Sequence, residues 1–264
     1  MTRARAAFVD RDGVLNDLVY NVEEGRVLSP FSVREMRVFP YVPETVRRLR
    51  DDLGFKVIVI SNQPGVAKRQ FTLAELGKMN AKLRREVVRG GASLDGEYYC
   101  LHHPNALIKK YRLDCDCRKP KPGLLLRAAK EHGIDMASSY FMGDSLLDIK
   151  AGKRAGCKTV FVGHLTSLMA KVMESEDAVP DYVIASLKEA PWLLSELGAN
   201  PRPKTVRGRT APAGRSGRRT VRTQGRASAP RVAVKGRRTA SSQPVWTICS
   251  GSLSSPSAVR TSGG

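Results

Sequence analysis

The stretch that most constrains this chain is residues 8–16, Phe-Val-Asp-Arg-Asp-Gly-Val-Leu-Asn, where an apolar run ends in two aspartates separated by one residue. Residues 6–9 predict a short buried strand, and Gly13 lets the backbone turn directly afterwards. Alternate residues of an extended segment point the same way, so Asp10 and Asp12 can face one site. Two adjacent carboxylates repel each other, and a bound cation or a shared proton relieves that repulsion. An isolated Asp-x-Asp turn is more often a surface loop, but its position after a buried strand favours a ligand site at the carboxyl edge of a sheet.

Apolar runs and helical patterns alternate along the chain up to residue 199. Residues 17–39 are predicted to form a long loop, too short for a separate cap domain. Further strands are predicted at residues 55–60, 139–144, 158–163 and 181–184. Helices are predicted to begin near Pro43, Thr72, Pro122 and Ser145, the second with a capping box between Thr72 and Glu75. This alternation predicts an α/β fold with a right-handed, doubly wound, mostly parallel sheet.

Charged or polar side chains follow three of the predicted strands and precede one predicted helix. They are Asp10 and Asp12, Ser61 and Asn62, Asp144, and Arg118 with Lys119. Taken one at a time, most have ordinary explanations, such as a turn at the serine and asparagine or a solvated lysine. Because the carboxyl ends of parallel strands meet at one edge of a sheet, their joint occurrence predicts a single site.

The chemistry that this set suits is phosphoryl transfer, which needs a nucleophile, a proton donor, cations around the phosphoryl oxygens and hydrogen-bond donors. Asp10 is the candidate nucleophile. Asp12 is the candidate acid that protonates the leaving alcohol and later activates water. Mg²⁺ bound by Asp10, Asp144 and the backbone carbonyl of Asp12 would offset the repulsion between carboxylates. The candidate phosphate-binding residues are Ser61, Asn62, Arg118 and Lys119.

Four segments resemble, in order and spacing, the four motifs of the haloacid dehalogenase phosphatase superfamily. These segments are Asp10-Arg11-Asp12-Gly13, Ser61-Asn62, Lys119, and Gly143-Asp144 with Asp148. Over roughly residues 5 to 195 the chain resembles above all the D-glycero-D-manno-heptose 1,7-bisphosphate 7-phosphatases, and next the histidinol-phosphate phosphatases. The resemblance implies a Rossmann-like fold with little or no cap domain, Mg²⁺, an aspartyl-phosphate intermediate and a structural zinc loop.

Two positions qualify this resemblance. Many heptose bisphosphate phosphatases carry lysine where this chain has Ser145, a departure that bears on the substrate more than on the reaction type. Asp148 is open to two interpretations, a contact to the metal or an acid that favours the helix dipole. The reaction we expect is removal of the 7-phosphate of a heptose 1,7-bisphosphate, with histidinol phosphate as the alternative substrate.

A second metal site is predicted by the pairs Cys100-x-His102 and Cys115-x-Cys117, which have 12 residues between them. Three thiols and one imidazole favour tetrahedral Zn²⁺, and four protein ligands leave no open position, so the role is predicted to be structural. His103 is the alternative imidazole, although the family pattern matches His102. Arg118 and Lys119 directly follow the last ligand, so the metal would hold the loop that presents them. Cys157 and Cys249 are expected to lie outside this cluster.

The net charge of +20 is concentrated after residue 199, where 14 Lys or Arg residues and no acid occur. We therefore divide the chain into a phosphatase domain, residues 1–199, and a basic tail, residues 200–264, whose composition predicts disorder. The tail is interpreted either as an inert extension or as a nucleic-acid-binding arm, in which case the body could act on polynucleotide ends. Five cysteines and the lack of an apolar signal or membrane segment predict a cytoplasmic protein. We expect a monomer that acts on a small sugar phosphate.

Overall fold

The computed structural model describes residues 3–22, 25–198 and 246–249. Its strands are β1 (Ala6–Val9), β2 (Val19–Asn21), β3 (Arg26–Leu28), β4 (Lys56–Asn62), β5 (Gly96–Cys100), β6 (Tyr140–Gly143), β7 (Lys158–Val162), β8 (Tyr182–Ile184) and β9 (Trp246–Ile248). Its α-helices are α1 (Val42–Arg47), α2 (Leu73–Arg89), α3 (Gly123–His132), α4 (Leu146–Ala155), α5 (Ser167–Ser175) and α6 (Ala190–Glu196). A π-helical segment, Arg48–Asp52, continues α1, and 3₁₀ turns occur at Lys109–Tyr111 and Leu187–Glu189.

Seven strands form one sheet in the order β8-β7-β6-β1-β4-β5-β9. Every neighbouring pair in this sheet is parallel. From β1 the chain moves outward through β4 and β5 on one side, and then through β6, β7 and β8 on the other. Such a reversal opens a crevice at the carboxyl ends of the central strands. The predicted doubly wound fold is confirmed, and its crevice lies beside β1.

The sequence of β1 explains why this strand is central. Its four residues are fully buried. Ala7 and Val9 pack in the core that includes residues of α1 and α2, whereas Ala6 and Phe8 pack in the core that includes residues of α3. A strand covered on both faces needs apolar residues at every position. Because β1 is packed between two layers of helices, the position of the next residue, Asp10, at the sheet edge is fixed.

Several elements were not predicted from the sequence, namely β2, β3, β5, β9, α5 and α6. The predicted loop at residues 17–39 contains the antiparallel pair β2 and β3, with Val19 opposite Leu28. Each strand has three residues, and Tyr20 and Val27 are more than half exposed, so the pair lacks the buried face that produces an alternating pattern. The polar and aromatic run that forms β5 is also fully buried, and it carries Cys100 to the sheet edge.

The capping box predicted at α2 forms only in part. Thr72 Oγ1 accepts a hydrogen bond from the Glu75 N–H over 3.1 Å, as expected. The Glu75 carboxylate, however, accepts a hydrogen bond from the Val33 N–H over 2.8 Å and contacts Lys78. The reciprocal half of the prediction is therefore wrong, because a tertiary contact takes the carboxylate that the local motif would use.

The strand β9 comes from the segment assigned to the basic tail. Trp246 lies opposite Glu97 and Ile248 opposite Tyr99, so β9 extends the sheet beyond β5. The remaining residues of 200–264, and with them the prediction of a disordered tail, lie outside the described residues. Three residues within a long polar stretch are too few to show a strand period, which is why the sequence did not reveal them. Within the described ranges, no helix is long and apolar enough to cross a membrane.

Candidate active site

The candidate active site is a cavity of ≈ 170 Å³ at the carboxyl edge of the sheet. It is lined by Asp10, Asp12, Leu18, Ser29, Ser61, Asn62, Lys119, Asp144, Ser145 and Leu147. The structure thus brings together the ends of β1, β4 and β6, as their shared direction predicts. Of the predicted site residues, Arg118 is the one that does not line this cavity.

Asp10 is held at the first position after β1. Its N–H donates to the Met142 carbonyl of β6 over 2.9 Å. One carboxylate oxygen, Oδ1, accepts a hydrogen bond from the Arg11 N–H over 2.8 Å and lies 2.9 Å from Lys119 Nζ. The side chain is about nine-tenths buried. Asp10 is therefore anchored through its backbone and through one oxygen.

Lys119 connects two carboxylates beneath the cavity. Its ammonium lies 2.9 Å from Asp10 Oδ1 and 2.5 Å from Asp148 Oδ1, and it donates to the Ile60 carbonyl over 3.3 Å. Burial disfavours the charged lysine, but the two carboxylates outweigh burial and raise the pKa of Lys119. Lys119 is therefore a fixed positive charge next to the candidate nucleophile.

Asn62 holds the backbone of Lys119. Its Oδ1 accepts from the Lys119 N–H over 3.1 Å, and its Nδ2 donates to the Lys119 carbonyl over 3.2 Å. This paired contact joins the end of β4 to the loop before α3. The Asn62 side chain was predicted to hold phosphate, and the contacts that the structure shows for it position the lysine.

Asp144 lies against the turn that follows Asp12. Gly13 has a φ of +81°, and a Cβ at this position would lie 1.9 Å from Asp144 Oδ2. Any side chain would therefore be strained and would also displace the carboxylate. The glycine after the two aspartates lets the end of β6 approach the end of β1.

The carboxylates of Asp10, Asp144 and Asp148 have oxygens within 4.8 Å of one another. Burial, with the charges of Asp148 and Asp12, raises the pKa of Asp10 to about 6, against the opposing effect of Lys119. Burial and the charges of Asp10 and Asp148 raise the pKa of Asp144 to about 8. Hard oxygen ligands with excess negative charge fit a divalent cation such as Mg²⁺.

Asp148 has two further partners besides the lysine. Its Oδ2 accepts from the Ser145 hydroxyl over 2.5 Å and from the Ser145 N–H over 3.1 Å. The acid therefore caps α4 while its other oxygen contacts Lys119. Ser145 completes this cap, at the position where the sequence departs from the pattern of many heptose bisphosphate phosphatases.

Four hydrogen bonds hold the Asp12 carboxylate. Oδ1 accepts from Arg11 Nε and from Asn16 Nδ2, both over 3.0 Å. Oδ2 accepts from Arg11 Nη2 over 3.1 Å and from Gln63 Nε2 over 2.7 Å. Sequence reasoning missed these three partners. The available signal was their position within or directly after the motif segments.

The predicted zinc ligands Cys100, His102, Cys115 and Cys117 converge after β5, with ligand atoms within 4.8 Å of one another. The three sulfur–sulfur distances are 3.2, 3.3 and 3.6 Å, and His102 Nδ1 lies 3.4 Å from the Cys117 sulfur. Tetrahedral Zn²⁺ with bonds of ~2.3 Å would separate its sulfurs by about 3.7 Å, so the four side chains fit this ion.

Three further side chains lie next to this cluster, those of His103, Arg118 and Cys249. His103 Nδ1 accepts from the Asn105 N–H over 3.0 Å, so His102 is the imidazole that faces the thiols. Arg118 Nη1 donates to the His102 carbonyl over 3.1 Å. Cys249 lies closer than expected, because β9 brings its sulfur within 4.8 Å of ligand atoms of Asp116 and Cys117. Arg118 thus links the loop that carries Lys119 to the backbone of His102 in the cluster.

Comparison with known proteins shows which family has a similar sequence and fold. The HAD-hydrolase-like family model matches residues 116–190. The chain is 35% identical over 193 residues to D-glycero-beta-D-manno-heptose-1,7-bisphosphate 7-phosphatase of Escherichia coli K12, covering 72% of this chain and 94% of that protein. The enzyme of the same name from Pasteurella multocida is 32% identical over 195 residues, covering 73% and 98%. The crystal structure of D,D-heptose 1,7-bisphosphate phosphatase from B. bronchiseptica with magnesium and phosphate matches with a TM-score of 0.60 at 26% identity, covering 73% and 99%.

Fold, motif order and similarity together define a phosphatase of the haloacid dehalogenase superfamily. Since relatives at 32–35% identity match nearly end to end, the chain belongs, more narrowly, to the family of D-glycero-β-D-manno-heptose-1,7-bisphosphate 7-phosphatases. The resemblance inferred from the four motif segments is confirmed.

Proposed function

We propose that this protein removes the 7-phosphate of D-glycero-D-manno-heptose 1,7-bisphosphate through an aspartyl-phosphate intermediate. The observation that carries the proposal is the convergence of Asp10, Lys119 and Asp144 on one cavity, in a chain that matches heptose bisphosphate phosphatases over almost their whole length. Eight of the ten residues that line the cavity are charged or polar, which suits a small, hydrated sugar phosphate.

The reaction proceeds in two steps. An Asp10 oxygen attacks phosphorus, the bond from phosphorus to the sugar oxygen breaks, and Asp12 donates a proton to the departing alcohol. Water then attacks the phosphorus of the aspartyl-phosphate, Asp12 accepts the water proton, and Asp10 is released. Lys119, Ser61 and the backbone around Asn62 bind the phosphoryl oxygens and neutralise their charge.

Mg²⁺ would be held by the carboxylates of Asp10 and Asp144 and by the backbone carbonyl of Asp12. When bound, it supplies positive charge for the phosphoryl oxygens. The raised pKa values of the two aspartates support this assignment, because burial and the neighbouring carboxylates disfavour their charged forms and a bound cation would favour them. Asp148 is the acid that positions Lys119.

The cluster of Cys100, His102, Cys115 and Cys117 is proposed to hold a structural Zn²⁺. It directly precedes Arg118 and Lys119, so the ion would fix the loop that carries both. We propose a cytoplasmic location, because three of the five cysteines belong to a candidate metal site rather than to a disulfide framework. We propose that the enzyme is a monomer and that any affinity for nucleic acid resides in the basic tail.

The decisive experiment is steady-state kinetics on a panel of phosphate esters with and without Mg²⁺. The panel includes heptose 1,7-bisphosphate in both anomers, heptose 7-phosphate, histidinol phosphate and a 5′-phosphorylated oligonucleotide. We expect the highest kcat/KM on a heptose bisphosphate, with one phosphate released per molecule and full dependence on Mg²⁺. A higher kcat/KM on histidinol phosphate or on the oligonucleotide would overturn the substrate, and activity in chelator would overturn the metal.

A further inference from the structure

Arg11 is a fully buried guanidinium behind the candidate active site. Its exposed fraction is 0%, and it is not among the residues that line the cavity. Nε and Nη2 donate to the two oxygens of Asp12 over 3.0 and 3.1 Å. A planar guanidinium bound to a carboxylate at two points fixes both the position and the plane of the carboxylate. Arg11 thus contacts Asp12 from the side away from substrate.

The remaining donors of Arg11 are held by two different elements. Nη1 donates to Asn80 Oδ1 of α2 over 3.0 Å, and Nη2 donates to Gln63 Oε1, directly after β4, over 2.9 Å. Gln63 in turn donates to Asp12 Oδ2 over 2.7 Å. The orientation of Asp12 therefore depends on the packing of α2 and β4 through Arg11.

An aromatic layer extends this arrangement to the strand from the tail. The Arg11 Cζ lies 5.9 Å from the centre of the Tyr99 ring. The Trp246 ring meets the Tyr99 ring edge-on, with centroids 6.3 Å apart and planes at 69°. Tyr99 is completely buried, so packing against its neighbours fixes the position of its ring. Trp246, Tyr99, Arg11 and Asp12 are consecutive contacts from β9 to the active site.

We infer that Arg11 is a positioning residue for Asp12 and that β9 stabilises this arrangement through Tyr99. The inference rests on the proposed function, in which Asp12 donates a proton to the sugar oxygen and later accepts one from water. Both transfers need the carboxyl group aimed at the reacting atom. The attack of Asp10 on phosphorus needs no proton from Asp12. Loss of Arg11 should therefore impair esters that require protonation of the leaving group, and spare those that do not.

Two substrates separate these effects in the first turnover. The leaving group of the heptose bisphosphate is an alcohol, which needs the proton. The leaving group of p-nitrophenyl phosphate is a stable phenolate, which does not need one. We expect Arg11→Lys, which keeps the charge but loses the two-point contact, to slow the first turnover of the heptose ester by about 100-fold. The p-nitrophenolate burst should slow by less than about fivefold. Equal losses on both substrates would overturn the positioning role.

Reference variants distinguish failure of this inference from failure of the proposed function. Asp12→Asn should show the same substrate split, and the double variant Arg11→Lys with Asp12→Asn should be no slower than Asp12→Asn, because both changes remove one proton transfer. If the wild-type enzyme does not hydrolyse the heptose ester, the proposed function fails, and if Asp12→Asn hydrolyses it normally, Asp12 is not the proton donor. If Asp12→Asn is impaired and Arg11→Lys is not, the positioning role alone fails.

A variant in β9 tests the link to this strand without changing the buried arginine itself. Trp246→Ala should slow the first turnover of the heptose ester by about three- to tenfold and leave the p-nitrophenolate burst unchanged. The matched control is Thr247→Ala, because Thr247 lies on the opposite face of the same strand and should affect neither substrate. Unchanged hydrolysis of the heptose ester by Trp246→Ala would overturn the role of β9.

Discussion

Two groups of candidate metal ligands lie at the same edge of the sheet and differ in almost every property. At the ends of β1 and β6, the carboxylates of Asp10, Asp12 and Asp144 border a cavity together with Lys119. After β5, three thiols and one imidazole face one another, and most of their surface is buried. The first group borders a cavity that substrate can enter. In the second group, all four side chains face one another and would surround a single ion.

The difference between the open and the closed group indicates which of them can carry out chemistry on a substrate. Burial and neighbouring carboxylates in the open group raise the pKa of Asp10 and Asp144, so we expect a cation to bind there together with an anionic phosphate ester. In the closed group, three thiols and one imidazole would complete the coordination of one tetrahedral ion and leave no position for substrate. We therefore expect chemistry at the first site and stability from the second, with Arg118 and Lys119 as the physical connection.

The largest effect should come from the nucleophile in the open group. Asp10→Asn removes the oxygen that attacks phosphorus, so kcat should fall by at least about 1,000-fold. Zinc content and melting temperature should stay near those of the wild type, because the closed group is untouched. Steady-state assays with elemental analysis of the same sample measure both. Residual turnover above this level would show that another group attacks phosphorus.

The closed group should respond in the opposite manner. Cys115→Ser should lower zinc from about one ion per chain and reduce the melting temperature by more than about 5 °C, because metal binding and folding are coupled. Affinity for phosphate should fall as well, through the loop that carries Lys119. Cys157→Ser is the matched control, since Cys157 is buried outside the cluster. Full zinc content in Cys115→Ser would exclude this metal site.

The response to pH should also separate the two groups. Asp10 and Asp144 have folded pKa values of about 6 and about 8, above those of the unfolded chain. The folded protein then binds more protons than the unfolded chain, so metal-free stability falls as pH rises from ~4 to ~8. Mg²⁺ should raise the melting temperature more at pH 8 than at pH 5. Asp144→Asn should weaken this dependence, and an equal Mg²⁺ effect at both pH values would contradict the assignment.

The smallest effect should come from the tail. The boundary at residue 199 predicts that a chain ending there keeps its melting temperature and its kcat/KM within about twofold. The position of β9 changes both expectations: truncation should lower the melting temperature by about 2–4 °C and slow hydrolysis of the heptose ester as much as Trp246→Ala does, because it exposes Tyr99 and the edge of β5. Thermal unfolding of the full and truncated chains tests this. Identical curves would support the boundary and make β9 dispensable.

The strands that carry the candidate site were predictable because their signals are local. Residues 6–9 are apolar at every position, and the next residues are carboxylates, so strand, turn and charge all lie within one short segment. The four side chains of the candidate zinc site were likewise visible as two closely spaced pairs, and the structure brings them together. Short elements such as β2, β3 and β9 were missed, because three residues are too few to establish a period.

By itself, the sequence determined the alternation of strands and helices, the residue types at the strand ends and the soft ligand set of the second cluster. Only the tertiary structure decided which of these polar side chains contact one another. Asn62 contacts the backbone of Lys119, Asp148 contacts its ammonium, and Arg11 contacts Asp12. The physical reason is that hydrogen-bond partners distant along the chain are chosen by packing, because a buried polar group must bind whichever partner the fold brings within reach.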